Sequence, residues 1–167
     1  MQSPNMMSTV PVPWRSGCLG ASTAQSTTCR LAQEQLKNHQ FVDLLNAFRR
    51  SGGLARVPEV AARFHSCSAH DVSPLAGWIN KREVISFEWQ SMLWMPLFQF
   101  NPSSLTLRAG LKAVLVELVG VYDDWELATW FAQPNPWLAD CTPADTLAVA
   151  APEVLSAARA ERFVEVG

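Results

Sequence analysis

Tyrosine is almost missing from this chain of 167 residues, charge is sparse, and no apolar run is long. One Tyr stands against seven Trp and eight Phe, so the interior must be built from rings that carry few hydroxyls. Only 17% of residues are charged, the net charge is −2 and no dense basic stripe is present, which weakens the case for tight binding of nucleic acid. No stretch reaches the ~18–20 consecutive apolar residues of a membrane span. The strongest candidate, 111–122, is interrupted by Lys112 and Glu117, and no membrane association is expected. The first residues contain no basic segment leading into an apolar core, so no export signal is expected and the cytoplasm is the expected location. Cys18, Cys29, Cys67 and Cys141 contain no CxxC pair, and without an export signal they read as free thiols.

Catalytic signatures are missing as well. There is no GxSxG, phosphate loop, GxGxxG or HExxH. Asp123 and Asp124 are adjacent carboxylates, but a helix start explains them through its dipole. Cys141 precedes a helix start and has no His nearby in sequence. The chain is therefore read as a binding protein and not an enzyme, with no catalytic residue and no cofactor. His65, Cys67 and His70 are three possible ligands of types that suit Zn²⁺, but their spacing matches no common zinc motif and a fourth ligand is not evident. They read as a polar turn between helices, and no metal is assigned.

What is present divides the chain into three. Residues 1–29 are rich in Ser, Thr, Pro and Gly and lack an apolar period, so a disordered tail is expected, with Met6 or Met7 as an alternative start. Helical spacing begins near Leu31 and continues through Leu36, Phe41, Leu44, Leu45 and Phe48 to a stop at Gly52-Gly53. Pro58 opens a second helix through Val60, Ala61 and Phe64. Asp71-Val-Ser-Pro74 resembles a cap for a third, through Leu75, Trp78 and Ile79. Two short helices around a polar turn predict a helix-turn-helix.

From Val84 the period becomes two. Ile85, Phe87 and Trp89, then Trp94, Pro96, Phe98 and Phe100, predict a β-hairpin with one aromatic face. Pro96 predicts an edge or a bulge for the second strand. A hairpin after a helix-turn-helix outlines a winged helix. This module spans 30–101, and its DNA-facing candidates are Arg56, Arg63, Ser73, Asn80, Lys81 and Arg82, against the alternative of a solvated helix face.

Residues 102–167 read as a third, wholly helical part. Leu107, Leu111, Val114, Leu115, Leu118 and Val119 form one helical stripe. Asp123 and Glu126 make a capping-box start, Thr142-Pro-Ala-Asp145 repeats the device, and Pro152 opens a last helix with Val154, Leu155 and Ala158 inward. Charge separates the parts: residues 31–100 carry seven Lys/Arg and six Asp/Glu, whereas residues 101–167 carry four and nine, a net −5. The acidic part suits a basic protein partner.

The string Trp125-Glu-Leu-Ala-Thr-Trp-Phe-Ala-Gln-Pro-Asn-Pro-Trp137-Leu-Ala-Asp-Cys-Thr142-Pro-Ala-Asp145 resembles the toxin-binding domain of Xre/MbcA/ParS-type antitoxins. The likeness covers 125–147 in motif and about 107–163 in periodicity. Trp94-Met-Pro-Leu-Phe-Gln-Phe100 stands where some members carry a similar element after their helix-turn-helix. The resemblance implies a mostly α protein: a helix-turn-helix module with a small winged-helix-like hairpin, followed by a C-terminal helical toxin-binding-type domain. It implies a cognate RES-type toxin that consumes NAD⁺, neutralised by the antitoxin's C-terminal region. Homo-oligomers and binding to the protein's own operator DNA are implied too. Asn135, Trp137, Arg159, Arg162 and Phe163 are the expected partner-binding residues, an exposed Phe beside an Arg being a frequent interface anchor. The chain departs from the pattern at Asp140, where a glycine is expected, and in closing soon after Phe163 with Val-Glu-Val-Gly. The alternative function is an orphan transcription regulator or adaptor without a toxin.

Overall fold

In a computed structural model, residues 21–67 and 74–167 are described, the side chains of 21–28 and 67 excepted. Residues 1–37 and 38–167 form two units. The first contributes the opening of helix α1 (Ala21–Ala47), and its side chains from Cys29 to Lys37 are all exposed. The helix thus starts about three turns before the apolar spacing does, inside the stretch expected to be disordered. Nothing in Ala-Ser-Thr-Ala-Gln forbids a helix, because an exposed turn needs propensity rather than an apolar face.

Within 38–167, the chain forms a mostly helical fold around a small three-stranded antiparallel sheet. After α1 come β1 (Leu54–Arg56), α2 (Val57–Cys67), α3 (Leu75–Asn80), β2 (Phe87–Trp89) and β3 (Met92–Pro96). Next are a 3₁₀ turn at Leu97–Gln99, α4 (Leu111–Leu118), α5 (Asp124–Ala132), a second 3₁₀ turn at Pro136–Leu138, α6 (Pro143–Thr146) and α7 (Ala151–Val166). Among the described residues no helix is long and apolar enough to cross a membrane.

The hairpin forms, but the sheet order β1-β3-β2 puts β3 in the centre and not at an edge. Its two-residue turn, Gln90-Ser91, takes φ of 48° and 58°, the successive positive values a type I′ turn needs, without Asn or Gly. Proline is tolerated in the middle strand because of register. β2 pairs Phe87 with Trp94, so in continued register Ile85 would face Pro96, where pairing requires an N–H that proline lacks. Strand pairing ends there. The side-chain amide of Gln99 replaces it: the Ile85 N–H donates to Gln99 Oε1 (2.8 Å) and Gln99 Nε2 donates to the Ile85 carbonyl (2.9 Å). Gln99 is fully buried. On the other side Pro96 pairs with Leu54, and the Leu97 N–H reaches the Gly53 carbonyl (2.9 Å).

The rings divide between two clusters. Phe41 stacks on Trp89 with centroids 3.8 Å apart and meets Trp94 and Phe87 edge-on. Phe48, Phe98 and Phe131 continue this core toward α4, α5 and α7. A second cluster holds Val60, Phe64, Leu75, Met95 and Phe100. The larger core takes residues from both sides of Asn101, the expected domain boundary, so packing does not divide there.

The helix expected from Leu107 begins four residues later. Leu107 is spent on a bridge with Phe100, and Gly110 precedes α4 with φ 83°. A Cβ on Gly110 would lie 2.7 Å from the Ala151 Cβ, so this glycine lets the starts of α4 and α7 meet.

Candidate partner-binding surface

The motif segment is organised by Asn135. Its backbone N–H donates to the Cys141 carbonyl, its own carbonyl accepts from Leu138 and Asp140, and its side-chain oxygen accepts from the Trp137 N–H (2.9 Å). Only 5% of Asn135 is exposed. It therefore does not offer itself to a partner as expected; it holds a turn that sends Leu138 inward and leaves Trp137 64% exposed. Leu138 packs into the core, and Trp137, one of the expected partner-binding residues, stands outside it. The turn closes through Ala139 and Asp140, at φ 52° and 61°, so the aspartate occupies the left-handed position for which a glycine is expected. Thr142 then caps α6 by accepting from the Asp145 N–H (3.2 Å).

Upstream, α5 starts from the expected capping box, Asp123 and Glu126 each accepting the other's backbone N–H at 2.8 Å. Leu127, Trp130 and Phe131 face the core, and Trp125 meets Phe87 edge-on at 5.0 Å.

α7 buries Val154, Ala157 and Ala158 against α4, and the two helices run parallel, with Ala151 beside Gly110 and Arg159 beside Glu117. Glu117 accepts from Arg159 Nε (3.1 Å) and Arg162 Nη1 (2.8 Å). Those hydrogen bonds, Arg159 first, hold the Glu117 carboxyl below its ordinary value of 4.5. Across α7, the Tyr122 hydroxyl donates to Glu161 (2.7 Å). Burial, and then the bond to Glu161, push the Tyr122 hydroxyl well above its usual range. The last turns of α7 are thus tied on two sides. Beyond the ties, Phe163 is 77% exposed, Val164 and Val166 are exposed as well, and an open cleft of about 460 Å³ lies among Glu117, Arg159, Phe163 and Val166. Arg159, Arg162 and Phe163 come together here.

The DNA-facing candidates are more scattered. Arg56 is exposed, 5.4 Å over the Trp94 ring and 3.8 Å from Glu59. Arg63 is exposed on α2, and Asn80 and Lys81 are exposed at the end of α3. Ser73 and His70 lie outside the described residues. Arg82 is occupied: Nε and Nη2 reach Asp124 (3.1 and 2.7 Å), Nη1 the Val119 carbonyl (3.0 Å) and Nη2 the Tyr122 carbonyl (3.2 Å). It satisfies carbonyls at the end of α4 and joins them to the start of α5.

His65 is exposed on α2, and among the described residues no three His, Cys, Asp or Glu side chains gather as a metal site. Cys29 and Cys141 are exposed free thiols.

Residue-type reasoning missed Gln99, Glu117 and the role of Arg82. Glu117 had a visible signal, a lone carboxylate in the apolar 111–122 stretch. Gln99 and Arg82 had none, because their partners are backbone groups distant in sequence. No protein-family model matches the chain, and no curated protein or solved structure matches it.

Proposed function

We propose that this protein is an antitoxin-type regulator that binds a RES-type, NAD⁺-consuming toxin through the end of α7 and does no chemistry of its own. The observation that carries this reading is an apolar ledge, Phe163 with Val166, set beside two arginines that Glu117 holds in place. A protein that exposes a large ring at the end of an otherwise well-packed helix leaves unburied the kind of residue that anchors interfaces. Fixing the arginines before binding lowers the ordering cost of an interface. The motif around Asn135, by its resemblance, supports the same assignment.

The test is co-expression with the adjacent gene, followed by affinity capture and an NAD⁺-depletion assay of that gene product. The expected result is a stable complex that restores NAD⁺, and loss of both with Phe163→Ala. A neighbouring product that leaves NAD⁺ intact, or that ignores the full chain, overturns the reading.

The second reading is an orphan transcription regulator or adaptor without a toxin. It is supported by the element order α1-β1-α2-α3-β2-β3 with sheet order β1-β3-β2, which resembles the order expected of a winged helix. On this reading the same module contacts operator DNA in the antitoxin too, with Arg56, Arg63, Asn80 and Lys81 the exposed groups left to do so. Binding to the protein's own upstream DNA that persists where no RES-type gene is adjacent would favour it.

A further inference from the structure

Arg63 and Arg108 line one pocket with no neutralising carboxylate among the described residues that form it. The pocket holds about 220 Å³. Its floor is apolar: Val60 on α2, Leu97 from the 3₁₀ turn after β3, Phe100 and Leu105. The Arg63 guanidinium makes no hydrogen bond or ion pair among the described residues. Arg108 spends Nε on the Phe98 carbonyl, and its terminal nitrogens have no such partner. Two arginines lining one small, mostly apolar cavity, neither paired with a carboxylate, offer two cations to a single anion.

The wall at Leu105 is a second, independent observation. The Asn101–Leu107 loop is closed by the Asn101 N–H to the Thr106 carbonyl (2.8 Å), the Leu105 N–H to the Asn101 carbonyl (2.9 Å) and the Phe100–Leu107 bridge. Within it Leu105 takes φ 53°, which an L-residue other than Gly, Asn or Asp adopts at a cost. The strained backbone presents a half-buried leucine to the pocket. Such strain concentrates where a binding surface has to be shaped.

We propose that this pocket binds a small organic monoanion, a carboxylate on an apolar body, with the carboxylate between Arg63 and Arg108 and the body against Val60, Phe100 and Leu105. The volume is below the ~300–1,000 Å³ of sites for drug-sized ligands, so the occupant is of fragment size. A planar carboxylate suits the guanidinium fork. A dianionic phosphate would lose more hydration on an apolar floor than a monoanion does. The pocket does not depend on the toxin reading, and the two can fail separately.

The test uses the full chain with hexanoate as probe and 1-hexanol and inorganic phosphate as comparisons, followed through the amide resonances of Ser51, Gly52, Phe100 and Leu105 and by calorimetry. Saturable binding of hexanoate is expected, at least about tenfold tighter than 1-hexanol, the equivalent of one charge-assisted hydrogen bond. Arg63→Gln should weaken hexanoate by a similar factor and leave the melting temperature unchanged, because Arg63 is exposed and without a side-chain partner. Arg63→Lys should retain part of the affinity. Hexanoate that shifts none of these resonances, or that binds Arg63→Gln as tightly as the natural protein, overturns the proposal. Phosphate binding as tightly as hexanoate also overturns it, and would mark the arginines as contacts for a phosphate backbone.

Discussion

The rings around β2 and β3 and two rings of the C-terminal half, Trp137 and Phe163, are of the same residue types and are used in opposite ways. Phe41, Phe87, Trp89 and Trp94 touch one another and are buried or half-buried. Trp137 and Phe163 stand mostly in solvent on segments that are otherwise tightly held. The contrast lies in the backbone and not in the residue. A ring on an alternating strand faces the core by register. A ring placed just after a capped turn, or past the last core position of a helix, faces outward however apolar it is.

That contrast can be broken most forcefully from the core side. Phe131→Ala, which empties a fully buried site between Phe98 and Trp130, should cost about 3–5 kcal/mol by chemical denaturation. Gln99→Leu should follow at about 2–4 kcal/mol, since it leaves the Ile85 N–H and carbonyl unpaired in the interior. A loss under about 0.5 kcal/mol would mean that water or a relaxed β2 replaces the amide.

On the surface side, Phe163→Ala should change stability by less than about 0.5 kcal/mol while costing a partner about 2 kcal/mol or more of binding energy. Lost stability with intact affinity would make Phe163 a core residue and move the interface elsewhere. The basic pair after α3 splits along the same line. Arg82→Ala should cost about 1 kcal/mol of stability through its carbonyl contacts. Lys81→Ala should leave stability alone and, if Lys81 meets a phosphate, reduce the salt slope of DNA binding by about one.

The smallest effect expected is a pH response. Glu117 titrates below its ordinary 4.5, so its ion pairs contribute in full above that value and are lost as pH falls through the lower, folded-state value. The stability difference between the natural protein and Glu117→Gln should therefore be constant above pH 4.5 and shrink below it. A difference that grows as pH falls would mean that the carboxylate is not held by Arg159 and Arg162.

Local signals in the sequence were sufficient for much of this fold. The capping box at Asp123 and Glu126, the Thr142 cap, the hairpin and the inward stripe of α4 each depend on neighbours within a few residues. So does the outward position of Phe163, which the Val154/Ala158 spacing already excludes from the core. What stayed hidden depends on distant partners. The central place of β3 required β1, a three-residue strand too short to show a period. Asn135 read as surface because the turn that buries it is closed by left-handed residues at Ala139 and Asp140, which no spacing rule announces. Arg82 read as a phosphate contact because its carbonyl partners lie about 40 positions on.

Gln99 also governs how this chain can vary. Its amide serves a peptide's donor and acceptor at once, which glutamate cannot do without its donor and asparagine cannot reach with one fewer methylene. A saturation library scored only for folding should therefore return position 99 as among the least replaceable in the protein, although it is polar, uncharged and hidden from every partner.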